Sequence, residues 1–126
     1  MTGTSRKSLY ERLGGYDAIC AVANSLLPRL VADERLGRFW KNRGDDGIAR
    51  EKQLLIDFLC ASAGGPMYYN GRPMKLSHKG MQIGASDWQA FLGHLNSTLD
   101  TFGVPAQERT EVLSFIESTR TDIVEV

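Results

Sequence analysis

Apolar residues recur along this chain with the period of an α-helix and never alternate as a strand requires. Ile19, Val22, Ala23, Leu26, Leu27, Leu30 and Val31 fall at i, i+3, i+4, i+7, i+8, i+11 and i+12, a single stripe of 3.6-residue period. Pro28 interrupts this stripe; it deletes the backbone bond to Asn24 and is expected to bend the helix without ending it. Upstream, Ser8-Leu9-Tyr10-Glu11 has the S-x-x-E form of a capping box and predicts a short first helix that stops at Gly14-Gly15, leaving Asp17 to cap the second. Ile48 to Ala63 predicts a third helix, with Glu51, Leu55, Phe58 and Ser62 on one line and Leu54, Ile56 and Leu59 widening its apolar face. Ser86-Asp87-Trp88-Gln89 reads as a second capping box, opening a helix whose stripe is Trp88, Phe91, Leu92, Leu95, Leu99 and Phe102. Beyond Gly103 and Pro105, one last helix carries Val112, Leu113, Ile116 and Ile123.

The connections differ in character. A short segment holds Leu36, Phe39 and Trp40, and Lys41 to Gly47 is a polar loop. Gly64-Gly65-Pro66 ends the third helix, and the stretch to Pro73 contains the turn signal Asn70-Gly71 with no alternating strands to join. Met74 to Lys79 predicts one or two helical turns closed by Gly80. A long irregular segment is uncommon in a small helical domain unless it has a task. The pattern is therefore all-α, a single domain over residues 1–126 with residues 1–7 as a flexible tail.

The 126 residues are 42% hydrophobic, enough for a core that excludes water around a small ligand. Fifteen basic residues balance fifteen acidic ones, so no net positive charge attracts phosphate backbones or an anionic membrane surface. The polar start of the chain and the lack of a bilayer-length apolar run point to a cytoplasmic protein, expected as a monomer or weak dimer. Cys20 and Cys60 sit in apolar helical contexts without C-x-x-C spacing, which predicts packed, reduced thiols.

Only two histidines are present, His78 and His94, too few for an all-protein zinc site. A haem iron needs just one axial ligand from the protein, because the porphyrin fills four positions. His78 follows the irregular segment, and Arg72, Lys75 and Lys79 near it are cations suited to haem propionates. From spacing alone a lone histidine is more often a satisfied or surface residue, and His94 reads as a helix-surface side chain. No G-x-S-x-G, paired-carboxylate or phosphate-loop pattern appears.

Four stretches nevertheless resemble the truncated haemoglobins, most nearly their group I. They are Leu9-Tyr10-Glu11-Arg12-Leu13-Gly14-Gly15; Val31 through Trp40; Gly64 through His78, with the glycine pair, Tyr69-x-Gly71-x-x-Met74 and then His78; and Ile83 through Leu95 with Gly103-Val104-Pro105 behind. The resemblance implies a two-over-two helical sandwich around a b-type haem, with His78 as the iron ligand and the residues before Pro73 as the loop replacing most of the proximal helix. It also implies that Phe39 and Trp40 form the aromatic corner against the haem, with Trp40 where the family usually has phenylalanine. Leu54, Leu55, Phe58 and Leu59 would cover the distal face, while Met74, Leu76, Ile83, Trp88, Phe91 and Ile116 would line the remainder. For these residues, ordinary core packing is an equally good account.

The departures concern the distal side. Leu27 stands where group I proteins commonly carry a tyrosine, and Leu55 aligns with a frequent glutamine if the extra residues lie before Ile48; otherwise Gln53 or Glu51 moves into the pocket. Without a distal donor, oxygen is expected to be held less tenaciously than in tyrosine-bearing relatives, and CO to bind well. The resemblance implies reversible binding of O2, CO or NO. Nitric oxide dioxygenation would need an electron-donating reductase, and peroxidase-like chemistry ranks lower because no distal histidine is evident. Two other classes fit the helical pattern: a haem-based gas or redox sensor or electron-transfer module, and a cofactor-free helical interaction domain.

Overall fold

The computed structural model describes residues 7–41, 43–66, 69 and 71–126. Met67, Tyr68, Asn70, the loop residue Asn42 and the first six residues of the expected tail lie outside that set. Seven α-helices form among the described residues: α1 (Leu9–Leu13), α2 (Gly15–Ala32), α3 (Asp45–Ser62), α4 (Met74–His78), α5 (Ala85–Thr101), α6 (Ala106–Glu117) and α7 (Arg120–Ile123), with a 3-10 turn at Gly37–Trp40 between α2 and α3. No strand occurs among the described residues.

Local chemistry explains most boundaries. Ser8 and Glu11 satisfy each other's backbone donors at the start of α1, as the S-x-x-E pattern requires. Gly14 then adopts φ 111°, a left-handed conformation suited to glycine, and serves both as the end of α1 and the cap of α2. Asp17 consequently lies inside the first turn of α2 and not at its cap; its charge there complements the positive end of the helix. α3 begins at Asp45 and not at Ile48, because Gly44 is extended and Asp45 and Asp46 occupy the first turn. At α5 the cap is Gly84, so Ser86 is helical and the expected Ser86–Gln89 box does not form; Asp87 instead accepts the Gly84 N–H at 2.9 Å. The last apolar stripe breaks into α6 and α7 where Ser118 and Thr119 hydroxyls donate back to the Phe115 and Ile116 carbonyls, an alternative to helix continuation. α2 runs through Pro28 as one element.

α2 is the central helix, packing on both α3 and α5, while α1 lies on α2 and α6 and α4 lies on α7. Ile19, Ala23, Leu26 and Leu30 meet Ile56, Leu59, Cys60, Leu95, Leu99, Val112 and Ile116 in one core. The thiol of Cys60 is pushed up to about 11 by burial, as expected for an inert packed cysteine. Phe102, expected on the α5 stripe, is 44% exposed because it caps the helix beyond the core. Gly65 passes so close to Tyr10 and the Cys60 carbonyl that a Cβ would lie 2.7 Å from the ring, which ties the end of α3 to α1.

Candidate functional site

Between α2, α3, α4 and α5 lies a cavity of about 270 Å³ whose walls are mostly apolar. α2 contributes Leu27 and Leu30, the 3-10 corner Phe39 and Trp40, α3 Glu51, Leu54, Leu55 and Phe58, and α5 Trp88 and Phe91. Met74 and His78 of α4, Ile83, Ile116 and Ile123 line it as well. These α3 residues are only half-buried, whereas Ile56, Leu59 and Cys60 are packed. One helix thus turns one face to the core and the neighbouring face to the cavity.

Five residues expected at the cavity are elsewhere. Leu59 is one position beyond Phe58, about 100° around the helix, and is buried in the core. On α4, Met74, Ser77 and His78 share the inward face at i, i+3 and i+4, which leaves Lys75 and Leu76 on the other side. Leu76 is 52% exposed. Arg72 precedes α4 and is exposed, its carbonyl accepting the Tyr69 hydroxyl at 2.9 Å. Gln53 points outward, donating to Tyr16 at 3.1 Å and Asp57 at 3.0 Å.

Glu51, the residue left open by the sequence, does line the cavity. One of its carboxylate oxygens accepts the Trp40 indole N–H at 2.6 Å, and the other pairs with Arg43. At the corner, Arg38 stacks on the Phe39 ring at 4.2 Å and donates to Asp87 at 2.8 Å. The Arg38 hydrogen bond holds the Asp87 carboxyl below its usual range, helped by the Gly84 N–H. Its second oxygen, Oδ1, has no hydrogen-bond partner among the described residues and lies 3.8 Å from Arg35. The periodic pattern carried no signal for Asp87, nor for Tyr69, Met81 or Thr119, which also line the cavity. A wider hollow of about 600 Å³ beside Arg12, Gln107, Thr110 and Glu111 lies over ion-paired surface residues, away from both histidines.

His78 presents its imidazole to the cavity, with Nδ1 2.9 Å from the Met74 carbonyl oxygen and 2.9 Å from Ser77 Oγ. A carbonyl can only accept, so the Met74 contact is a hydrogen bond in the neutral tautomer that carries its proton on Nδ1, which leaves the Nε2 lone pair free. His94 is remote from this site, donating from Nε2 to Asp33 at 2.6 Å.

Residues 8–125 match the family model for bacterial-like globins. The chain belongs to that family. This globin is 35% identical over 109 residues to the group 1 truncated hemoglobin GlbN of Mycolicibacterium paratuberculosis, covering 86% of this chain and 78% of that protein. The crystal structure of the truncated hemoglobin from Tetrahymena pyriformis in its Fe(III) form superposes with a TM-score of 0.87 at 32% identity, over 95% of this chain and 100% of that one. The 2/2 hemoglobin from Synechococcus gives 0.85 at 28% identity, over 94% and 98%. The all-helical architecture is thus that of the truncated haemoglobins, and the globin is a haem-based gas-binding protein with a haem of the b type typical of the family. The residues here suit that group: an apolar slot, and one imidazole whose far nitrogen is already engaged as a donor, as in metal-ligating histidines generally.

Proposed function

We propose that His78 Nε2 holds the haem iron and that a diatomic gas binds on the opposite side, against Leu27, Leu55 and Phe58. Haem, when bound, would supply an iron able to take up a diatomic gas. The observation that carries the ligand assignment is the Nδ1 contact to the Met74 carbonyl, which selects the tautomer with a free Nε2 and fixes the ring plane. The short α4 makes that contact possible, since an i, i−4 backbone carbonyl lies directly behind the ring. Leu27 and Leu55 offer no hydrogen to a ligand, and the Glu51 carboxylate is acceptor-only with both oxygens engaged. The pocket therefore favours neutral, apolar ligands, and CO in particular, over retention of oxygen. An external electron donor that keeps the haem ferrous, and a cytoplasmic setting, belong to the same proposal.

Absorption spectra of the ferric, ferrous and CO forms test it. A Soret band with a five-coordinate ferrous spectrum is expected, and His78→Ala should lose haem or change its ligation. An unchanged ferrous spectrum in His78→Ala would assign the iron to another residue, and a protein that stays colourless with hemin would leave only the helical interaction domain.

A further inference from the structure

The segment that presents His78 has few attachments of its own. α4 is a single short helix whose N-cap, Pro73, supplies no side-chain hydrogen bond. It leads into Gly80 at φ 84° and Gln82 at φ 57°, the one non-glycine among the described residues with a positive φ. Backbone of that kind persists only where its surroundings hold it.

Glu125 provides the hold. Its Oε2 accepts the Gly80 N–H at 2.9 Å and its Oε1 accepts the Gln82 N–H at 2.8 Å. Its own N–H and that of Val126 donate to the Ile83 carbonyl at 2.8 Å and 3.3 Å. One residue therefore grips the turn leaving α4 by its side chain and the next position by its backbone. The same turn is tied to the histidine by the Met81 N–H, which donates to the His78 carbonyl at 3.2 Å. Packing of α4 on α7 brings residues 124–126 alongside. The carboxylate does not line the cavity, so its influence on the iron site runs through this turn.

We propose that Glu125 is a positioning residue for the iron ligand: its two charge-assisted bonds latch the turn at residues 80–82 and set the approach of the His78 imidazole to the haem. The inference rests on the assignment of His78 as ligand and adds what keeps it in place.

The test uses the haem-loaded full chain with Glu125→Ala and Glu125→Gln. In Glu125→Ala, amide hydrogen exchange at Gly80 and Gln82 should accelerate by about tenfold or more, as expected for two lost charge-assisted bonds. Glu125→Gln, which keeps the shape and one accepting oxygen, should fall between; it carries the test should the alanine variant fail to fold. The ferrous iron–histidine stretching band should shift or broaden, and haem transfer to an excess acceptor apoprotein should quicken several-fold. Unchanged exchange at both amides would overturn the latch. Faster exchange with an unmoved iron–histidine band and unchanged haem loss would overturn the positioning role. Survival of that band in His78→Ala would overturn the ligand assignment itself, a result separable from the first two.

Discussion

The Trp40 indole N–H donates to Glu51 at 2.6 Å, joining the 3-10 corner to α3 along the cavity wall. The pair keeps a carboxylate at the wall of an apolar chamber, with Arg43 balancing its charge from the other oxygen. Removing that charge should admit anions. Glu51→Gln is expected to tighten azide and cyanide binding to the ferric protein several-fold, because a like charge is withdrawn from a low-dielectric wall. Equilibrium titrations followed in the Soret region decide this, and unchanged anion affinity would place Glu51 outside the electrostatic reach of the ligand.

Leu27 lies on the cavity wall from α2. Leu27→Tyr should introduce a donor contributing roughly 1.5 to 3 kcal/mol to a partially charged acceptor. Oxygen release measured by stopped flow should slow by about tenfold or more, with CO release far less affected. Equal slowing of both gases would point to steric trapping and not to a hydrogen bond.

His94 and Asp33 join α5 to the end of α2, and the same Asp33 side chain accepts the Arg35 and Leu36 N–H groups at 2.7 Å and 2.9 Å. These bonds, that from His94 foremost, hold the Asp33 carboxyl at about 2. Its folded value lies below its unfolded one, so the stabilisation is present in full above roughly pH 4 and is lost as pH falls through the folded value. Unfolding midpoints of wild type and Asp33→Asn should differ most above roughly pH 4 and converge only as pH falls through about 2. A constant gap across that window would assign the effect to packing.

Leu95 is 1% exposed in the core and Leu76 is 52% exposed on the outer side of α4. Leu95→Ala should cost about 2 to 5 kcal/mol in denaturant unfolding. Leu76→Ala should change stability by no more than about 0.5 kcal/mol and leave the haem spectrum unaltered. A perturbed spectrum in Leu76→Ala would restore that residue to the pocket.

Much of the helical frame was legible because amphipathic periodicity and capping chemistry are local. The stripe of α2, the capping box at Ser8 and Glu11, and the turn from Met74 to His78 each follow from neighbours a few residues apart. Errors gathered at boundaries where side chains compete with the backbone. Thr119 ended α6 ahead of the expected helix, and Gly84 took the cap from Ser86.

The amino-acid order alone determined that this chain is all-helical and that His78 follows an irregular segment, and the likeness of its motifs pointed to the globin family. What it left open was direction. Glu51 and Gln53 are two positions apart on one helix, yet only the packing of α3 against α2 and the corner sends Glu51 to the cavity and Gln53 to Tyr16 and Asp57. Likewise, the grip of Glu125 on the turn beyond His78 exists only once the chain has folded back on itself. Periodicity specifies which residues share a helix face; which neighbour that face meets is set by contacts between residues distant in sequence.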